Sequence, residues 1–279
     1  MGTGRGKLNV AIVMSSLVAV LSACGGGGGG GGKGTTINGR IQNAGAQTIT
    51  VDALVNGEIV DSDTTDSGGR FELKVREESS TEDVRLVFDT APILTLDILT
   101  IQNSEVSLVL SLAPDVGEVA VDTFQISTEE LSCQNDESFS YIEPLVTTMA
   151  IDGGGSKSCI HTQDDCRFVI EIGGRLNVEG CSDGVLAENA SEVRLSPGNM
   201  SSLNIDVGGN GIRGTNDSSV IATGFDVDIT ANDFGISANK NAFVQISVPV
   251  IGTCNIDGRK GAVDSSNAAI VDIGECRTS

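Results

Sequence analysis

Apolar and polar residues alternate with a period of two along most of this chain. Thr36-Ile37-Asn38-Gly39-Arg40-Ile41, Thr48 to Val55 and Arg70-Phe71-Glu72-Leu73-Lys74-Val75 each read as half-buried strands. In the last of these Phe71, Leu73 and Val75 point inward. Further runs lie at Val84–Phe88, Leu94–Ile101 and Val106–Leu112. Asn56-Gly57, between two such runs, is a strong hairpin dipeptide. Short strands punctuated by turns over residues 35–113 predict a small β-sandwich.

The pattern changes after residue 150. With anchors at Cys159, Gly184, Gly211, Gly235 and Gly261, similar residues return every 24 to 27 positions. One residue after each anchor stand Ile160, Val185, Ile212, Ile236 and Ala262. Seven after stand Cys166, Ser191, Ser218, Ala242 and Ala268, all small. Nine after stand Phe168, Val193, Val220, Val244 and Ile270, all apolar. Such a unit cannot bury its inward side chains alone, whereas stacked units make a continuous core. The spacing therefore predicts a short parallel β-helix over 151–279 and favours it over a second sandwich. Asn189, Asn216, Asn239 and Asn267 fall near one bend and predict an imperfect polar ladder. Residues 114–150 read as a linker and cap, with Val119–Ile126 a strand able to close either neighbour. The fold class is thus all-β, a small sandwich followed by a solenoid.

The first 34 residues break this pattern. Arg5 and Lys7 precede an apolar run from Leu8 to Val20, shorter than a spanning helix needs. Leu21-Ser22-Ala23-Cys24 follows, and then eight glycines, Gly25 to Gly32. The small residues before Cys24 suit a signal-peptidase pocket. The stretch resembles the lipobox of bacterial lipoproteins. That resemblance implies a signal peptide over 1–24, a diacylglycerol thioether and N-acylation (palmitate among the usual chains) on Cys24, and outer-membrane attachment, since residue 25 is not Asp. Residues 25–34 read as a glycine-rich tether, because each glycine loses much backbone entropy on ordering.

The 35–113 segment carries a second resemblance. Ile37-x-Gly39-x-Ile41, Val51-x-Ala53 and Thr65-Asp66-x-x-Gly69-x-Phe71-x-Leu73 are similar to the carboxypeptidase regulatory-like (transthyretin-like) domain. Such domains are usually spacers or interaction modules. Runs such as Asn210-Gly211-Ile212-Arg213-Gly214-Thr215-Asn216 resemble right-handed β-helix repeat proteins, some of which bind or cleave carbohydrate.

Charge and cysteines narrow the setting. There are 17 Lys+Arg against 38 Asp+Glu, a surface that repels nucleic acid and anionic lipid. No nucleic-acid partner is expected. Of seven cysteines, Cys24 is assigned to the lipid. Cys133, Cys159, Cys166, Cys181, Cys254 and Cys276 remain, an even number that reads as disulfides in an exported protein. Spacing does not fix the connectivity, although Cys254 with Cys276 is the pair it favours.

No catalytic constellation emerges. His161 is the single histidine, without an evident Ser or Cys partner. Asp61, Asp63 and Asp66 fail the EF-hand pattern, which needs Gly where Asp66 stands, and read as a solvated turn. Asp226 and Asp228 alternate with apolar residues, face outward and are the candidates for a calcium ion. Other acids, among them Asp164, Asp183, Asp206, Asp217 and Asp233, share no offset from coil to coil, so no common acidic face is expected. No cofactor is required, and calcium is allowed.

The expectation is a non-catalytic envelope lipoprotein, held to the membrane through Cys24, that binds polysaccharide or another envelope protein or serves structurally. The absence of Trp and the single Tyr disfavour sugar stacking. A polysaccharide-active β-helix enzyme and a protein-binding stalk are the alternatives.

Overall fold

In the computed structural model the described residues are 34–279 without 45–46, 77–80, 102–103, 129, 144–145, 156, 198–201 and 275. The segments expected as signal peptide and tether up to residue 33, with Cys24 between them, lie outside the described residues.

Seven strands come first: β1 (Gly34–Ile41), β2 (Thr50–Val55), β3 (Glu58–Thr64), β4 (Arg70–Arg76), β5 (Thr81–Phe88), β6 (Leu94–Ile101) and β7 (Glu105–Ala113). Strands β3, β2, β5 and β6 form one antiparallel sheet in that order. The β2–β3 turn is Asn56-Gly57, both with positive φ (52° and 83°), as a hairpin turn of this dipeptide requires. Strands β4, β1 and β7 belong to a different sheet, in which β1 runs antiparallel to β4 and parallel to β7. Phe71, Leu73 and Val75 are buried, as the alternation predicts.

The solenoid follows in three-stranded rungs. The first comprises β8 (Glu118–Thr128), β9 (Leu131–Cys133) and β10 (Ser138–Glu143). The second has β11 (Thr148–Gly153), β12 (Ile160–Thr162) and β13 (Arg167–Ile172), and the third β14 (Arg175–Glu179), β15 (Val185–Ala187) and β16 (Glu192–Pro197). In the fourth stand β17 (Ser202–Val207), β18 (Ile212–Gly214) and β19 (Ser219–Thr223). The fifth holds β20 (Asp226–Ala231), β21 (Phe234–Ala238) and β22 (Phe243–Ser247). The last has β23 (Thr253–Gly258), β24 (Gly261–Ser265) and β25 (Ile270–Asp272), after which β26 (Arg277–Thr278) begins another turn. Equivalent strands pair in parallel, giving three walls. The first wall runs β8-β11-β14-β17-β20-β23-β26, the second β9 to β24 and the third β10 to β25.

Residues 114–150, expected as linker and cap, therefore carry the whole first rung. Strand β8 joins the two parts of the chain. It pairs antiparallel with β7 and parallel with β11, so β4, β1 and β7 continue the first wall into one ten-stranded sheet. A single apolar core runs through both parts.

The stacked columns match the predicted repeat through the fifth rung. Leu131, Ile160, Val185, Ile212 and Ile236 lie in register. The last rung is displaced by one residue. Val263, not Ala262, pairs with Ile236, and Val271, not Ile270, pairs with Val244. The anchor there is Ala262, because Gly261 takes a φ of 143° in the tight turn that enters β24.

Two features turn the corners. At the first, Gly184, Gly211 and Gly235 stack. A Cβ on Gly211 would collide with the Ile229 side chain and the Gly235 carbonyl, so only glycine fits. At the second, each rung places two consecutive residues in the left-handed region: Asn135/Asp136, Asp164/Asp165, Asn189/Ala190, Asn216/Asp217, Lys240/Asn241 and Asn267/Ala268, with φ from 51° to 63°. Asn and Asp tolerate this conformation best. The amide of the second residue donates to the carbonyl of the first in the next rung, as in Ala190 N to Asn216 O at 2.9 Å. The expected ladder is partly realised. Asn216 Nδ2 donates to Asn189 Oδ1 and Asn189 Nδ2 to Asp164 Oδ1, each at 2.9 Å. Asn239 instead accepts from Thr215 Oγ1 at 2.6 Å.

Three disulfides staple the solenoid: Cys133–Cys166, Cys159–Cys181 and Cys254–Cys276. The first ties rung one to rung two. The second ties rung two to rung three, and the third ties rung six to the segment entering β26.

Candidate functional site

The first wall presents a flat outer face whose side chains the register aligns in columns. Outward positions alternate with the core residues Met149, Ile151, Leu176, Val178, Leu203 and Ile205. One column holds Asn177, Asn204, Asp228 and Asn255 in direct register. The neighbouring column holds Asp152, Glu179, Asp206, Thr230 and Asp257. Parallel strands are about 4.8 Å apart, so three carboxylates stand at that spacing on consecutive rungs before Thr230 interrupts them. Like charges directly opposite one another destabilise a sheet. The core does not require them, since these side chains point away from it.

This face departs from the expectation that the acids share no offset. Asp206 and Asp257 lie five residues before their anchors, with Glu179 at the same distance, once the last anchor is set at Ala262. Asp152 lies seven before Cys159, because the second rung turns its first corner with a longer segment. Counting Asp alone and using the displaced anchor conceals the column; counting Glu and Asp together reveals it.

Asp226 and Asp228, the calcium candidates, both lie exposed on β20. Asp226 Oδ1 already accepts from Thr253 Oγ1 at 2.6 Å and Thr253 N at 3.1 Å in the next rung. Asp228 stands between Asn204 and Asn255. Among the described residues no group of three or more His, Cys, Asp or Glu side chains is arranged to hold a metal ion. A cation here would share carboxylates between rungs and complete its shell with amide oxygens and water. Asn177 Oδ1, in the column of Asp228, is buried and has no hydrogen-bond partner among the described residues.

The other candidates have structural partners. His161 lies half-buried on the second wall. Its Nδ1 is 3.3 Å from Glu130 Oε1 and its Nε2 is 3.1 Å from Glu188 Oε2. The imidazole thus spans carboxylates of the rungs on either side. Both ring nitrogens are engaged, which leaves neither directed at a nucleophile. Asp183 is buried and accepts from Asn210 N at 2.7 Å and Asn210 Nδ2 at 3.0 Å, fixing the loop at Gly208-Gly209-Asn210.

The acids near residue 63 hold the edge of the long sheet. Asp63 Oδ2 accepts from Glu72 N at 2.7 Å and Asp61 Oδ2 from Lys74 N at 2.6 Å. Strand β4 is the last of its sheet, and these carboxylates occupy amides that would otherwise invite another strand. Asp66 closes its own turn by accepting from Arg70 N and Gly68 N. Those two amides, Arg70 first, hold its carboxyl below the usual value. The six paired cysteines have no free thiol to offer chemistry.

No protein-family model matches the chain, and no curated protein matches it.

Proposed function

We infer that this chain is a non-catalytic module of the bacterial cell envelope, held at the outer membrane by acylated Cys24, that binds polysaccharide along the outer face of its first wall. In this reading the strands β1 to β7 are a small β-sandwich of carboxypeptidase regulatory-like type. It spaces the solenoid from the tether and covers its first rung. The observation that supports the binding role is the pair of in-register columns, one of amides joined by Asp228 and one of carboxylates interrupted by Thr230. Such rows offer hydrogen bonds at a fixed repeat along the solenoid axis. A chain of hydroxylated sugars can meet that repeat with polar and calcium-bridged contacts, without aromatic platforms. On this face Arg175 Nε donates to Ser202 Oγ at 3.1 Å and so is turned toward its neighbouring rung rather than toward the carboxylate column.

The test is co-sedimentation of the full chain with neutral and acidic polysaccharides, with and without calcium, while polymer length is followed. Retention without shortening, weakened by Glu179→Gln with Asp206→Asn, supports the reading. Shortening of any polymer would replace it with the enzyme alternative. Membrane fractionation of Cys24→Ala tests the anchor: the variant should leave the membrane fraction or retain its signal peptide.

A further inference from the structure

The third wall turns a different face to solvent from the first. Over rungs two to six the described residues of the first wall present an outward carboxylate on every rung and one cation, Arg175. Over the same rungs the third wall presents Glu171, Glu192 and Asp272 against Arg167 and Arg194. The two arginines occupy consecutive rungs, Arg167 directly beside Glu192 and Arg194 beside Val169. Glu192 holds both. Arg194 Nε donates to Glu192 Oε1 at 3.0 Å, and Arg167 Nε lies 3.6 Å from Glu192 Oε2. One carboxylate thus fixes two guanidinium groups by their Nε atoms and neutralises only one charge. Their Nη groups have no hydrogen-bond partner among the described residues. Both arginines line a hollow of about 340 Å³ on the outer face of rungs one to three, and Glu192 does not. Ser138, Ser140 and Ser196 line it too, with hydroxyls that make no hydrogen bond among the described residues. Val169 and the exposed Ile142 give it an apolar floor. Glu171, in register between Ile142 and Ser196, is the acid of its lining.

We propose that this hollow binds a carboxylate group of an acidic polysaccharide. Three features select that ligand. The paired Nη donors of a guanidinium match the two oxygens of a carboxylate, and Glu192 presets the orientation of both forks. The serine hydroxyls and the apolar floor suit the hydroxyl groups and C–H faces of a sugar ring, which a bare anion would leave unused. Charge selects this wall for a polyanion. The first wall, with acids on every rung, repels one unless a cation bridges the two, whereas the arginine pair attracts it directly. The proposal rests on the polysaccharide reading for the nature of the ligand, but its site is separate from the first wall and requires no calcium.

The experiment measures binding of carboxymethyl-dextran, plain dextran and polyglutamate to the full chain in non-ionic detergent with a calcium chelator. It is run at about 0.15 M salt, where a screening length of about 8 Å confines charge effects to the wall itself. Carboxymethyl-dextran should bind about tenfold more tightly than plain dextran, from which it differs only in its carboxymethyl groups. Arg167→Gln with Arg194→Gln should remove that advantage and leave plain dextran unchanged. Lys240→Gln with Arg259→Gln takes the same charge from exposed positions off this wall and should leave the advantage intact. Arg194→Lys should keep part of it, because charge remains and the fork is lost. Unaltered thermal midpoints would show that the variants fold. Three outcomes would each overturn the proposal: carboxymethyl-dextran bound no better than dextran, equal loss in both double variants, or polyglutamate bound as tightly as carboxymethyl-dextran. The last would make the partner an acidic protein. Glu179→Gln with Asp206→Asn should not weaken this calcium-free binding, so the site on the third wall and the reading of the first wall stand or fall separately.

Discussion

The first and last rungs of this solenoid are built from the same columns, yet one is packed as an interior and the other as a surface. Aromatic residues fill the first end. Phe124 stacks on Tyr141 with ring centroids 5.2 Å apart, and Phe139 lies nearly parallel to Phe168 at 4.2 Å. Two disulfides staple the same region. Toward the last rung the equivalent residues shrink to Val263 and Val271, which no further layer among the described residues covers. Each rung contacts only its neighbours, so a rung's stability is set by what lies on both sides of it. A substitution should therefore cost an amount that depends on its rung more than on its residue type.

The largest expected contrast is between Phe168→Ala and Val271→Ala. Phe168 is 1% exposed and stacked, so its removal leaves a cavity and should cost about 3–5 kcal/mol in urea unfolding. Val271 is only partly buried at the edge of the core and should cost about 1 kcal/mol or less. Equal losses would mean that the last rung is covered as well as the first. The disulfides give the next contrast. Replacing Cys159 and Cys181 by Ser opens a link across 22 residues between stapled rungs and should cost roughly 3 kcal/mol of global stability. Replacing Cys254 and Cys276 removes a link of the same 22-residue separation, but it holds only the terminal segment. Its loss should appear as fraying of β26 with a much smaller change in the global midpoint. Amide exchange should resolve the gradient directly, with β11 and β14 slowest and β25 and β26 fastest. Uniform protection along the first wall would contradict the comparison.

How far the residues announced this depends on which interaction fixed each feature. Inward positions were legible because stacking demands like over like, and the columns through Ile236 and Val244 repeat clearly in the chain. The hairpin at Asn56-Gly57 and the Cys254–Cys276 pair were legible for equally local reasons. The first rung was not. Its corner has no glycine where Glu130 stands, and its inward residues are aromatic where later rungs have Val or Ile. Its strand β8 also alternates as well for a sandwich as for a solenoid, and in the structure it serves both. The outer carboxylate column is not legible in the repeat because no packing rule constrains it. Outward residues vary freely between Asp, Glu and Thr, and the one-residue displacement at Gly261 hid the last member.

That column supplies the smallest effect, and it distinguishes the ends again. Asp206 lies directly beside Glu179, whereas Asp257, in the last rung, lies beside Thr230. Unpaired like charges about 4.8 Å apart repel, so Asp206→Asn should stabilise the protein by a few tenths of a kcal/mol at low salt. Asp257→Asn should do less. At 1 M salt the screening length falls to about 3 Å, shorter than the rung spacing, and both gains should vanish. Calcium sharpens the test. If cations bridge Glu179 and Asp206, millimolar calcium will raise the melting temperature of the wild type, and Asp206→Asn will lose that rise while Asp257→Asn retains it. A rise retained equally by both variants would place any bound calcium elsewhere, and a column that is repulsive but indifferent to calcium would leave the amide row to carry ligand recognition on this face.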